Sequence, residues 1–73
     1  MFTVRMHNNQ ELLLPGEKPP VIDKIPATEI DVWEWIAMHV GMQHRGDLEP
    51  LPNDRGFLYF TTLGRTFTFY KED

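Results

Sequence analysis

Apolar and polar residues alternate at the start of the chain, Phe2, Val4 and Met6 against Thr3, Arg5 and His7, which is the period of a strand with one buried face. His7-Asn8-Asn9-Gln10 supplies turn chemistry, because asparagine tolerates positive φ, and Leu12, Leu13 and Leu14 return to apolar character. An N-terminal β-hairpin over residues 1–14 is predicted, its register left open. Residues 15–27 then read PGEKPPVIDKIPA. Four prolines in these thirteen residues forbid a helix or a central strand there. Val21, Ile22 and Ile25 are too apolar for a free linker, so an extended strap over the core is expected. A polyproline-type peptide ligand is the other reading, and Pro19-Pro20 lacks a further proline at the spacing that reading needs.

Thr28-Glu29-Ile30-Asp31 resembles a capping box with Asp in the Glu position, and Gly41 is a natural left-handed stop. A helix over residues 29–40 follows. Glu29, Asp31 and Glu34 suit its N-terminal dipole. At 100° per residue, Ile30, Val32, Trp33, Ile36, Ala37 and Val40 share one broad face. The opposite side carries Asp31, Glu34, Trp35, Met38 and His39, so Trp35 is placed among polar neighbours on the side expected to meet water. Residues 41–56 have loop composition.

Two strands, 57–62 and 65–71, flank Leu63-Gly64 and form a C-terminal hairpin. A type I turn with Gly64 in a bulge pairs Thr61 with Arg65, Tyr59 with Phe67 and Phe57 with Phe69. A two-residue turn would instead gather Leu58, Phe60, Phe67 and Phe69. The residue types favour the bulged turn, and Phe67 and Phe69 face the core in both versions. Either way an apolar pair, Leu58 with Phe60 or Phe57 with Tyr59, is left on the second face of the sheet. The order ββαββ predicts an α+β fold, an antiparallel sheet of about four strands with one amphipathic helix packed on one face.

Composition narrows what such a domain does. The chain has 73 residues, enough for one domain and one core. It contains no cysteine, so disulfides, thiolate metal sites and cysteine nucleophiles are excluded. Serine is missing too, which removes the other common nucleophile. Five Phe, two Tyr and two Trp supply large buried areas in a short chain. No stretch approaches the ~20 apolar residues that cross a bilayer, and the first residues lack a signal-peptide layout. A cytosolic protein with no cofactor is expected.

The net charge of −4 argues against direct nucleic-acid contact, which is built on excess Lys and Arg. Strand aromatics that stack bases remain the competing reading. Glu29, Asp31 and Glu34 are explained as helix-start residues. His39 and His44 are five apart, off the spacing that puts two metal ligands on one helix face. His44-Arg45-Gly46-Asp47 contains RGD, read here as turn composition. No catalytic or metal-binding set emerges, and an enzyme is not expected.

Two features remain. One is the apolar surplus of the C-terminal hairpin, at Leu58, Phe60 and Tyr70. The other is Trp35 with Asp31, Met38 and His39 around it. Trp, Tyr and Met are enriched at interface cores, so these seven residues are the candidate binding residues. Trp35 packed under the strap or the following loop is the structural alternative, and a homodimer through the sheet would also cover the hairpin surplus. In length, acidic balance and lack of catalytic residues, the chain resembles small bacteriophage proteins that bind and redirect host machinery, such as inhibitors of host RNA polymerase or of CRISPR effectors. That resemblance rests on size and composition and carries no functional residues over. It implies a protein partner, with a host enzyme such as RNA polymerase favoured.

Overall fold

The computed structural model describes residues 1–41, 46–61 and 64–71. The chain forms β1 (Phe2–Asn8), β2 (Val21–Ile25), α1 (Glu29–His39), β3 (Gly46–Pro50), a short 3-10 turn (Pro52–Asp54), β4 (Gly56–Thr61) and β5 (Arg65–Lys71). All five strands join one antiparallel sheet in the order β2-β1-β5-β4-β3. The α+β class is the predicted one. The element order is ββαβββ rather than ββαββ, with five strands rather than four.

The extra strand is β3, inside the segment expected to be loop. Its sequence, Gly-Asp-Leu-Glu-Pro, has a single apolar side chain at Leu48, so it carries almost no alternation to detect. It is placed by pairing with β4, Leu48 opposite Tyr59. Gly46 is required there: a Cβ would lie 2.4 Å from the Phe60 carbonyl oxygen and 2.5 Å from the Tyr59 ring.

The hairpin expected over residues 1–14 does not form. β1 ends in a turn in which the Glu11 amide donates to the Asn8 carbonyl (2.9 Å) and the Gln10 amide to Asn8 Oδ1 (3.1 Å). Asn9 is tied to the start of β5 instead, its amide donating to the Gly64 carbonyl (2.7 Å) and its Oδ1 accepting from Thr66 Oγ1 (2.8 Å). Leu12 is 90% exposed. The partner of β1 is β2, drawn from the proline-rich segment, with Phe2 opposite Ile25 and a bulge between Val4 and Arg5. Flanked by Pro20 and Pro26, β2 lies at a sheet edge, where missing amide donors do least harm.

The C-terminal hairpin has the register of the bulged turn, Phe57 opposite Phe69 and Tyr59 opposite Phe67. Gly64 has φ +77°, and Thr61 Oγ1 accepts from the Arg65 amide at 3.2 Å. Thr62 and Leu63, the tip of that turn, lie outside the described residues. β5 pairs with β1 along seven residue pairs, from Phe2–Lys71 to Asn8–Arg65, which joins the two ends of the chain at the centre of the sheet.

α1 begins where its cap predicts. Thr28 Oγ1 accepts from the Asp31 amide (3.1 Å) and donates to the Asp31 carboxylate. It closes with the Gly41 amide on the Ile36 carbonyl (3.0 Å), Gly41 adopting φ +89°. The core is one layer between helix and sheet: Val32, Trp35 and Ile36 from α1 on Phe2, Val4, Ile25, Tyr59, Phe67 and Phe69.

Candidate interaction surfaces

The helix is rolled about its axis relative to the face the sequence suggests. Trp35, placed on the solvent side by periodicity, is 6% exposed, while Ile30 is 73% exposed and Trp33 37%. The cause is physical. Seven of the eleven residues Glu29–His39 are apolar, so periodicity alone does not choose between faces. Trp35 wins because its ring meets Phe67 and Phe69 edge-on, at centroid distances of 5.4 and 5.5 Å. Its Nε1 also donates to Asp23 Oδ2 at 2.8 Å, so the one polar atom of the indole is satisfied as it is buried. Trp35 is a core residue, not an exposed anchor.

Asp23 therefore links β2 to α1. The Trp35 hydrogen bond, then the Lys24 amide on Oδ1, hold its carboxyl below the ordinary value, slight burial opposing and the His39 charge assisting. His39 stacks on Trp35 at 4.5 Å, with Nδ1 3.1 Å from the Trp35 carbonyl oxygen. The four helix residues singled out from the sequence, Asp31, Trp35, Met38 and His39, line one shallow groove of about 150 Å³ with Ile25, Pro26 and Glu34. Trp35 contributes to the wall of that groove, Asp31 is engaged in the helix cap, and Met38 projects into solvent, 80% exposed.

The other flank of α1 is not evident in the sequence, because periodicity assigns its residues to the core. Ile30, Trp33 and Ala37, spaced for one side of a helix, all stay exposed. Trp33 is partly anchored, edge-on to Tyr59 at 6.1 Å. A helix with its side chains is about 10–12 Å across, whereas five strands at roughly 4.8 Å spacing are about 20 Å wide. One helix cannot cover this sheet. The signal that would have found the flank was the excess of apolar residues over what one buried stripe needs.

Leu58, Phe60 and Tyr70 share the opposite face of the sheet. Their neighbours are fixed by register: Leu58 beside Thr68, Phe60 beside Thr66, Tyr70 beside Thr3. Lys18 and Pro19 lie over one half of this face, where Arg5 Nη1 donates to the Pro19 carbonyl at 2.6 Å. With Arg5, Thr68 and Tyr70 they enclose a cleft of about 280 Å³. The strap is therefore part edge strand and part cover. Phe60, in the other half, remains 39% exposed.

Among the described residues no group of three or more His, Asp or Glu is placed to hold a metal, and no helix is long and apolar enough to cross a membrane. His44 and Arg45 lie outside the described residues. Comparison with protein-family models, with curated proteins and with solved structures found no match.

Proposed function

We propose that this protein is a non-catalytic protein-binding module that docks its partner on the outer surface of α1. The observation that carries this reading is the apolar excess of that helix: Ile30, Trp33, Ala37 and Met38 stay exposed after Val32, Trp35 and Ile36 have filled the core. An exposed helix surface with this many large apolar side chains is the composition of an interface core rather than of a solvated face. Glu34 and the cap carboxylate of Asp31 add acidic groups beside it, so a partner with basic residues around an apolar centre fits best. The absence of serine and cysteine supports a binding role over a hydrolytic one. In its more specific form, consistent with the resemblance to small phage proteins, the module regulates or inhibits a host enzyme such as RNA polymerase.

The test is capture of partners by the tagged protein from a bacterial lysate, at low and high salt, alongside the double variant Ile30→Asp/Met38→Asp. A stoichiometric protein retained at high salt by the wild type and lost by the variant is expected. Binding that falls steeply with salt and disappears with nuclease would instead indicate phosphate contacts and the nucleic-acid reading. Retention by the variant would move the interface elsewhere.

A further inference from the structure

The open face of the sheet is divided in both shape and charge, and the two divisions coincide. On the β2–β1 side the strap forms a ridge at Lys18 and Pro19, anchored by Arg5. On the β4 side Leu58 is half-buried and Phe60 is 39% exposed. Register assigns the charges. Lys24 pairs with Thr3, and His7 with Thr66, so Lys24, Arg5 and His7 share the open face on the ridge side. Asp47 pairs with Phe60 and Glu49 with Leu58, so both acids share that face on β3, beyond β4. Glu17 lies in the tight turn at the start of the strap, its amide donating to the Leu14 carbonyl at 3.0 Å.

We infer that the occupant of this face is a second copy of the same chain, in an isologous dimer whose two-fold axis runs along β5. Such an axis lays β1 of each copy over β4 of the other, and β2 over β3. The ridge of one copy then packs on the β4 half of the other, with Pro19 against Leu58 and Phe60. Lys18 and Lys24 face the partner's Asp47 and Glu49, twice over by symmetry. Only a surface whose halves are complementary to each other closes on itself in this way. Face-to-face sheets also pack at about 10 Å, the spacing at which opposed side chains interlock. Both helices stay on the outside of the dimer, so this inference is independent of the partner surface on α1. The face is small beside a standard interface of about 800 Å² per partner, so the dimer is concentration-dependent.

Sedimentation of the full chain over a wide concentration range at low salt tests the arrangement. The wild type is expected to pass from monomer to dimer, and Phe60→Lys to stay monomeric. Two charge-reversed variants, Lys18→Glu/Lys24→Glu and Asp47→Lys/Glu49→Lys, are each expected to weaken the dimer by about tenfold or more. Their mixture is expected to restore it as a one-to-one heterodimer. Each reversal changes the net charge by two, so −4 becomes −8 in the first variant and 0 in the second. The second has no overall repulsion, and its failure to self-associate reports the local pairing. Circular dichroism confirms that each variant is folded. A wild type that remains monomeric throughout overturns the proposal. So does a dimer indifferent to Phe60→Lys and to charge reversal, or a mixture that stays monomeric when each variant alone is monomeric.

Discussion

β4 shows the difference between the two faces of the sheet within one strand. Phe57 and Tyr59 point to the helix side, and Tyr59 is almost fully buried beneath Trp33. Leu58 and Phe60 point the other way, and Phe60 keeps over a third of its surface in water. The side chains are comparably apolar, so hydrophobicity does not separate them. Coverage does. The centre of the helix face is filled by rings packed edge-on, Trp35 on Phe67 and Phe69 and Phe2 on Phe57 at 6.1 Å. The open face has a threonine row, Thr3, Thr66 and Thr68, and one proline-rich segment across half its width. The first arrangement holds the fold together, and the second leaves a surface for association.

Substitutions of matched size on the two faces should therefore separate most strongly. Phe69→Ala empties the centre of the core and is expected to cost about 3–5 kcal/mol, a large share of the stability of so small a domain. Phe60→Ala is expected to cost less than about 1 kcal/mol. Urea denaturation of the two variants measures the gap, and similar losses would show that the open face is packed after all. The tryptophans give the same contrast within α1. Trp35→Ala is expected to cost about 3–5 kcal/mol and Trp33→Ala about 1 kcal/mol. In single-tryptophan variants, emission from Trp35 should be blue-shifted and shielded from iodide, and emission from Trp33 quenched. A smaller effect attends the bulged turn. Gly64→Ala meets no neighbouring atom but must hold φ +77°, for a cost of about 1 kcal/mol.

The weakest expected effect is on pH dependence. The Asp23 carboxyl is held below its ordinary value of 3.8, first by the Trp35 indole. A depressed folded-state pKa means that the unfolded chain takes up this proton first as pH falls. Its stabilisation is thus complete above the unfolded value and is lost as pH drops through the lower folded one. Thermal melts of Asp23→Asn should lack that part of the acid-side loss. A variant with the wild-type profile would show that the link from β2 to α1 contributes nothing to it.

How much of this was legible in the sequence follows from where the information lies. The capping residues Thr28 and Asp31, the stop at Gly41 and the Leu63-Gly64 hairpin signal are local, and the helix limits and the register of β4 and β5 follow from them. The choice of Trp35 over Trp33 for the core is not local, because it depends on Asp23, twelve residues earlier, reaching the indole nitrogen. The same holds for β3, an edge strand defined by its neighbour, and for residues 9–20, which loop out so that β1 can pair with β2. For the candidate surfaces, Leu58, Phe60 and Tyr70 were readable from strand alternation once the register was set. Ile30, Trp33 and Ala37 were hidden because an over-apolar helix offers periodicity two acceptable faces.

Whether α1 presents its spare apolar residues to a partner is tested most directly by oxidative footprinting of the captured complex. Met1 and Met38 are both strongly exposed in the free chain, so peroxide should convert both to the sulfoxide at comparable rates. In the complex, Met38 is predicted to be protected while Met1 keeps its free rate. Equal oxidation of the two in a saturated complex would contradict a partner seated on the helix.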